Sequence, residues 1–247
     1  MKMKKSLLFF CTLLIAATLC SCAVNLTEKD GNLVDSKNGI TYRYAPFCFE
    51  PSHTDAEVYA KCKKLNLELY PVTGQPTSEW ISELYEGIGG LWYADTITLP
   101  TLEEFGTDKV YICIESVITT SLGQITEKSD IDALIDAYVN GEQCAIPTSG
   151  KSYKLKFESP DYPGIYYNLL YILTSHEETV LDENGDPVVE VVEGEEVTLT
   201  KYVYGHYIYD RSSGSCVDIG EILEKYIPFS TSSTDTSVSI TSPATAS

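Results

Sequence analysis

Four oxygen-bearing side chains in the second half of the chain have a spacing that could bind calcium. Asp182, Asn184, Asp186 and Glu193 stand at positions 1, 3, 5 and 12 of a calcium-loop template. Position 6 of that template is a glycine, which allows a sharp turn, and this chain has Pro187 there. Strand patterns flank the segment instead of helices. We therefore interpret it as a charged hairpin turn, and weak calcium binding within residues 182–193 stays open.

No other pattern carries the residues of a catalytic or cofactor site. The three histidines, His53, His176 and His206, share no metal-ligand spacing. The segment 150–152 (Gly-Lys-Ser) is similar to the end of a phosphate-binding loop, but Ala145 stands where such a loop needs glycine. No Gly-x-Ser-x-Gly motif of a serine hydrolase occurs. The sequence therefore predicts no catalytic residue, no cofactor and no metal ligand.

Tyrosine is the most unusual part of the composition, with 18 Tyr against 7 Phe and 2 Trp. Eight of the tyrosines lie between residues 162 and 209: Tyr162, Tyr166, Tyr167, Tyr171, Tyr202, Tyr204, Tyr207 and Tyr209. Tyrosine combines a large apolar ring with a hydroxyl group, which suits recognition surfaces. It is also a good strand former that packs half-buried in sheets. The cluster is thus either a ligand-binding face or an ordinary part of a sheet.

The number and spacing of the cysteines leave their pairing open. Of eight, five lie in the body of the chain: Cys48, Cys62, Cys113, Cys144 and Cys216. An odd number cannot pair completely within one chain, and spacing alone does not determine pairing. A Cys48–Cys62 bridge would close a short local loop, and the alternative is that these residues are small buried apolar groups.

The N-terminus has the pattern of a secretory signal. Three lysines occur within residues 1–5, and an uncharged apolar stretch follows from Ser6 to Leu19. The next residues, Leu19-Cys20-Ser21-Cys22, resemble the lipobox of bacterial lipoproteins. The resemblance implies that residues 1–21 are a signal peptide and that Cys22 becomes the lipidated first residue of the mature protein. Two acyl chains would anchor it stably to the cell membrane, on the extracytoplasmic face.

The net charge restricts the partners. The chain carries 36 acidic and 17 basic residues, a net charge of −19. Without residues 1–21 the balance is 14 basic against 36 acidic residues, or −22. Because phosphate backbones would repel such a chain, nucleic acid is not an expected partner. The expected partners are the membrane, through Cys22, and a glycan, peptide or protein ligand.

Composition divides the mature chain into three parts. Residues 22–39 are polar and rich in turn formers, which predicts a flexible tether behind the lipid. Residues 40–228 have the apolar content of a single globular domain. Residues 229–247 are rich in Ser and Thr and nearly uncharged, which predicts a disordered tail.

Hydrophobic periodicity indicates an α+β domain, with a largely antiparallel sheet and about three packed helices. The predicted helices cover residues 80–88, residues 129–139 with a capping box from Ser129 to Asp132, and residues 219–227 with Asp218 as the cap. Predicted strands cover 40–45, 64–71, 90–97, 109–119, 151–158, 164–174, 187–193, 196–204 and 206–210. Residues 164–173 are apolar on both faces, which predicts a central strand.

These features favour a lipid-anchored, non-catalytic binding or scaffolding module that uses its Tyr-rich strands. A cell-envelope hydrolase with an acidic active site is a second hypothesis, because catalytic carboxylates could lie among so many acidic residues. An accessory or sensory lipoprotein of a membrane protein complex is a third.

Overall fold

A computed structural model describes residues 23–83, 89–115, 119–192 and 195–227. In that part of the chain 49% of the residues lie in strands and 10% in helices, with two helices. The predicted α+β fold with three helices is therefore wrong, and the protein is mostly β. Within the same ranges, no helix is long and apolar enough to span a membrane.

The strands and helices are numbered along the chain. They are β1 Val24–Asn25, β2 Thr27–Lys29, β3 Asn32–Asp35, β4 Ile40–Tyr44, β5 Phe49–Pro51, β6 Ala60–Cys62, β7 Leu67–Pro71, β8 Trp80–Glu83, β9 Leu91–Ala94, β10 Lys109–Glu115, β11 Thr119–Ile125, α1 Lys128–Asn140, β12 Lys151–Glu158, β13 Ile165–Thr179, β14 Val189–Val192, β15 Glu195–Thr198, β16 Thr200–Tyr209, β17 Cys216–Asp218 and a 3₁₀ helix, η1, Gly220–Tyr226.

Their contacts group into two compact units. Of the described residues, 23–44 and 53–98 form the first unit, and 45–52 and 99–227 form the second. Where the sequence predicts one globular domain over 40–228, the structure divides that stretch between the two units.

The first unit is an eight-stranded sheet that curls into a nearly closed barrel. Its strand order is β1-β6-β7-β8-β9-β4-β3-β2, so β1 and β2 form opposite ends of the sheet. Only Leu26 separates these two strands along the chain, which brings the ends of the sheet together. All pairings are antiparallel except that of β1 with β6. Closure of this kind leaves few unpaired strand edges.

Residues 24–35 belong to the barrel, so the predicted tether over 22–39 is wrong for that stretch. Leu26 and Leu33 are buried in one apolar cluster with residues of five other strands. The Asp30-Gly31 pair forms a two-residue turn between β2 and β3, with φ values of 52° and 79°. Positive φ at both positions is the geometry of the tight hairpin turn that Asp-Gly favours. The polar composition thus reflects hairpin turns and not a disordered segment.

The predicted helix over 80–88 is also wrong where the structure describes it. Residues 80–83 form β8, which pairs with β7 on one side and β9 on the other. Trp80, Ile81 and Ser82 are all fully buried, because this strand is covered on both faces. A short apolar run of this kind does not distinguish a helix from a central strand. Residues 84–88 lie outside the described ranges.

The second unit is organised around the long strand β13. Its sheet has the order β11-β10-β12-β13-β16-β17, and β5 pairs with the beginning of β13. The prediction of a central strand over 164–173 is confirmed, since β13 has partners on both sides and is buried for most of this length. The strand β12 lies where the sequence predicts it, over residues 151–158, and its buried residues Tyr153, Leu155 and Phe157 alternate with partly exposed charged residues.

Two of the three predicted helices exist. The helix α1 begins at Lys128 and buries Ile131 and Leu134, but its N-cap is Glu127 without a side-chain hydrogen bond, so the predicted Ser129 capping box is wrong. The last predicted helix is the 3₁₀ helix η1. Its N-cap residue is Ile219, without a side-chain hydrogen bond, so the predicted cap Asp218 is wrong. Asp218 lies one residue earlier, where its Oδ1 atom accepts a hydrogen bond of 2.8 Å from the Gly220 N–H.

We expect Leu26→Ala to destabilise the barrel by about 2–5 kcal/mol, the usual cost of truncating a buried leucine. Leu65→Ala is the matched control, because Leu65 is 42% exposed in the same unit and its loss should cost less than about 0.5 kcal/mol. Urea unfolding followed by tryptophan fluorescence measures both, since Trp80 and Trp92 lie in this unit. Equal unfolding midpoints for the two variants would contradict the buried position of Leu26.

Candidate functional site

Several residues singled out in the sequence lie outside the described ranges. These are the predicted lipidation site Cys22, the predicted signal peptide 1–21 and the Ser/Thr-rich tail 229–247. Of the calcium-loop template, Glu193 also lies outside them.

The remaining calcium-loop residues form a capped turn. The Asp182 Oδ1 atom accepts hydrogen bonds from the Asn184 N–H at 2.8 Å and from the Asp186 N–H at 2.9 Å. These backbone hydrogen bonds lower the pKa of the Asp182 carboxyl group. The Asp182 carboxylate therefore stabilises the turn by accepting hydrogen bonds from the backbone of the turn itself. Among the described residues, no group of three or more His, Cys, Asp and Glu side chains could hold a metal ion.

The clustered tyrosines are mostly buried or half-buried. Tyr167 and Tyr171 belong to the core, and burial raises the pKa of both hydroxyl groups. Of the eight, Tyr202 is the most exposed, at 36%, and Tyr204 is partly exposed on the same strand. Packing within the sheet thus accounts for most of the tyrosine enrichment. The tyrosines that a ligand could reach are Tyr202 and Tyr204, in the first half of β16.

A cleft opens at this part of β16, against the 3₁₀ helix η1. Its volume is about 170 Å³, and it is lined by Lys201, Tyr202, Val203, Tyr204, His206, Glu221 and Glu224. Two of the tyrosines that the sequence singles out and one of its three histidines therefore meet here. Lys201, Glu221 and Glu224 were not predicted as site residues.

The floor of the cleft is formed by five residues of β16, and three of them share one face of the strand. Tyr202, Tyr204 and His206 are spaced two residues apart, so their side chains leave the strand on the same side. The Tyr202 hydroxyl group donates a hydrogen bond of 2.6 Å to Glu177 Oε1 on the neighbouring strand, opposite Tyr202 in the register. This bond holds the most exposed ring of the face in one position.

The wall of the cleft carries two carboxylates. Glu221 and Glu224 are three residues apart in η1, and because a 3₁₀ helix has three residues per turn, they lie on the same side of it. A backbone hydrogen bond of 2.9 Å from the Ile219 N–H to the His206 carbonyl joins the start of this wall to the floor. The chemical signal in the sequence is a pair of acidic residues one turn apart in a helix that follows a Tyr-rich strand.

His206 connects the cleft to the core. Its Nδ1 atom lies 2.8 Å from the Tyr171 hydroxyl oxygen, and its side chain is only 3% exposed. Burial lowers the pKa of the imidazole below its ordinary value of 6.5, although Glu224, Glu221 and Asp218 act in the opposite direction. His206 is therefore neutral at neutral pH, and its ring fixes the inner end of the cleft without adding charge.

A second polar cluster surrounds Asp210, at the turn between β16 and β17. Its carboxylate accepts hydrogen bonds from the Ser212 N–H at 2.7 Å, the Ser213 hydroxyl at 2.8 Å and the Tyr138 hydroxyl at 3.3 Å. The Cys48 N–H donates to Ser212 Oγ at 2.9 Å. Burial raises the pKa of the Cys48 thiol, so it is not an activated nucleophile. These bonds organise a turn, and we assign no chemistry to the cluster.

Of the two alternatives for Cys48 and Cys62, a local disulfide or small buried apolar groups, the structure supports the second. Both residues are free, buried thiols. Cys48 belongs to the second unit, whereas Cys62 belongs to the apolar cluster inside the barrel.

Comparison with known proteins adds no relative: no family model, no curated protein and no solved structure matches the chain.

We expect His206 to make the stability of the chain depend on pH. Because its pKa is lowered in the folded state, the unfolded chain binds the proton first as the pH falls below about 6.5. The free energy of unfolding should therefore decrease between pH 7 and pH 5, and His206→Gln should remove part of that decrease. Urea unfolding followed by circular dichroism measures it at each pH.

The matched control is His176→Gln, since the His176 side chain is 61% exposed. This variant should retain the pH dependence of the natural chain. If both histidine variants changed the slope equally, the buried state of His206 would be contradicted.

Proposed function

We propose that the protein is a lipid-anchored, extracytoplasmic binding module whose β16–η1 cleft takes one basic side chain of a partner protein. The observation that carries the proposal is the meeting of Tyr202 and Tyr204 with Glu221 and Glu224 in one cleft. Aromatic faces and carboxylates are the two groups that attract a guanidinium or ammonium group.

The size of the cleft supports a single side chain as its occupant. Pockets for drug-sized ligands have about 300–1,000 Å³. The cleft is smaller, at about 170 Å³, and it is partly open to solvent. A side chain that protrudes from a larger partner fits this space, and the rest of the contact would lie on the surrounding surface.

Charge supports a basic group. Lys201 lines the cleft as well, but its Nζ atom lies 4.0 Å from Glu178 Oε2, so its charge is partly balanced at the rim. The charged residues that line the cleft are one basic residue, Lys201, and two acidic residues, Glu221 and Glu224, so the lining has a formal net charge of −1. The whole chain, at −19, adds long-range attraction for cations.

The arrangement supports binding better than hydrolysis. Glycoside hydrolases place two carboxylates on opposite sides of the bond that is cleaved. Glu221 and Glu224 lie one turn apart on the same wall, so they face a ligand from one side. The hydrolase hypothesis therefore has no geometric support in this cleft.

The sequence supports the membrane part of the proposal. Residues 1–22 carry the signal and lipobox pattern, and only Ala23 separates Cys22 from β1. With Cys22 lipidated, the barrel would begin directly at the membrane surface. The partner would then be a protein at or near that surface. Such a partner is also compatible with the hypothesis of an accessory lipoprotein of a membrane complex.

A binding experiment tests the cleft. The probes are the peptide Gly-Gly-Arg-Gly-Gly, its lysine counterpart and a citrulline version that lacks the charge, titrated by NMR. We expect the Arg peptide to bind more tightly than the citrulline peptide, and Glu221→Gln with Glu224→Gln to raise its Kd about tenfold, which corresponds to about 1.4 kcal/mol.

Glu142→Gln with Glu190→Gln is the matched control, because both side chains are exposed and the net charge changes equally. The control should bind as the natural chain does. If both double variants weakened peptide binding equally, the effect would come from the overall charge of the chain, and the cleft would not be the binding site. If the protein bound neutral oligosaccharides and none of the peptides, the ligand would be a glycan, and the proposal of a basic side chain would be contradicted.

A labelling experiment tests the lipid anchor. In a bacterial host that processes lipoproteins, we expect the natural chain to incorporate a radiolabelled fatty acid. Cys22→Ala should abolish the incorporation because the acceptor thiol is lost, whereas Cys20→Ala should retain it. Labelling of Cys22→Ala would contradict Cys22 as the lipidated residue.

A further inference from the structure

Two cysteines of the second unit face each other across a short antiparallel pairing. The Sγ atoms of Cys144 and Cys216 lie 3.7 Å apart, and the Cys144 N–H donates a hydrogen bond of 2.8 Å to the Cys216 carbonyl. The preceding residue, Gln143, forms an antiparallel bridge with Val217. The register therefore places Cys144 directly opposite Cys216.

This arrangement has the backbone geometry of a disulfide. Residues opposite each other in a hydrogen-bonded antiparallel pair have Cα atoms about 5.5 Å apart. Disulfides occur at Cα separations of about 4.4–6.8 Å, with an S–S bond of about 2.05 Å. The Sγ atoms, 3.7 Å apart, need to approach by about 1.7 Å to reach that bond length.

The segment after α1 is held closely against β17. Gly141 lies at the crossing, where a Cβ atom would stand 2.3 Å from the Ala137 carbonyl oxygen and 2.4 Å from Val217 Cγ1. The Ser215 hydroxyl group donates a hydrogen bond of 2.9 Å to Gln143 Oε1. These contacts keep the two thiols next to each other in the native state.

We propose that Cys144 and Cys216 form an intrachain disulfide when the folded chain meets a disulfide-bearing oxidant. The Cys144 thiolate attacks one sulfur of the oxidant, which forms a mixed disulfide and releases one thiol. The Cys216 thiolate then attacks the Cys144 sulfur, forms the Cys144–Cys216 bond and releases the second thiol of the oxidant. The two cysteines lose two electrons and two protons, and the oxidant disulfide is reduced to two thiols.

Accessibility assigns the order of the two steps. Cys144 is partly exposed, whereas Cys216 is buried. Burial, together with the neighbouring Cys144, raises the pKa of the Cys216 thiol to about 11. Cys144 therefore meets the oxidant first, and Cys216 reacts with the mixed disulfide inside the protein. The other described cysteines, Cys48, Cys62 and Cys113, are buried thiols and stay reduced.

The bond would link the segment that follows α1 to the strand that leads into η1. Cys216 begins β17, and η1 starts shortly after this strand ends. The crosslink would thus fix the base of the segment that carries the cleft wall. The inference depends on the geometry of the two cysteines and not on the ligand proposed for the cleft.

Peptide mapping tests the proposal on the full chain. The reduced protein is incubated with oxidised glutathione, alkylated and digested with trypsin without reduction. Cys144 and Cys216 fall in the tryptic peptides 129–151 and 212–225, each of which contains one cysteine. We expect these peptides as one crosslinked species, lighter than their sum by two hydrogen atoms, and a higher Tm than for the reduced chain.

Cys216→Ser is the informative variant, because it removes the second thiol and leaves the first. It should accumulate glutathione on Cys144, and Cys144→Ser should carry no glutathione on Cys216. A natural chain with both peptides alkylated, with stable glutathione on Cys144, or with either cysteine linked to another partner would overturn the proposal. None of these results would change the expected binding of the arginine peptide.

Discussion

Backbone pairing along β13 is the constraint on which the second unit depends. This strand is 15 residues long and pairs with β12 over eight residues, with β16 over ten and with β5 over three. Buried backbone groups must be hydrogen bonded, so a central strand without partners would be unstable. The register with β16 then decides which side chains reach the cleft. A shift by one residue would turn Tyr202, Tyr204 and His206 to the opposite face of the sheet.

The parts of the fold that are encoded locally could be predicted from the sequence. Alternation in β12 and the continuous apolar run in β13 are properties of single segments, and both strands occur where they were expected. The two segments that were predicted wrongly, the helix over 80–88 and the tether over 22–39, were missed for the same reason. The stretch after Ser78 and the polar stretch before Ile40 take their structure from partners in the barrel, and β1 and β6 pair in parallel although distant in sequence. The Asp30-Gly31 pair is a local signal for a hairpin, but the polar composition of the surrounding residues favoured the prediction of a flexible tether.

The candidate site was less predictable than the fold, because its residues come together only through tertiary structure. The tyrosine cluster indicated the right strand, but not which of its rings are buried. Glu221 and Glu224 are two of 36 acidic residues, and their spacing of one helical turn points to a site only when the helix is known to lie against β16. Cys144 and Cys216 are 72 residues apart, so only the pairing of residue 143 with residue 217 reveals that they are neighbours. The local pair that the sequence offers as one alternative, Cys48 and Cys62, lies in different units.

The cleft wall illustrates how a short helix becomes a fixed part of a site. A 3₁₀ helix of seven residues is not stable by itself, because it makes few hydrogen bonds for the residues that it orders. At its start the Asp218 carboxylate accepts a hydrogen bond from the Gly220 N–H, and in its middle the side chain of Leu223 is buried. At its end, Lys225 Nζ lies 2.7 Å from Asp130 Oδ2 of α1, and the Tyr226 hydroxyl group donates to the same carboxylate.

These contacts hold η1 at its start, its middle and its end. The helix α1 contributes the last of them, and the segment that follows α1 is the one that pairs with β17. The position of Glu221 and Glu224 therefore follows from α1, β16 and β17 together. A cleft supported by three elements can present two carboxylates in a defined position although its volume is small, and a recognition site needs that property more than it needs depth.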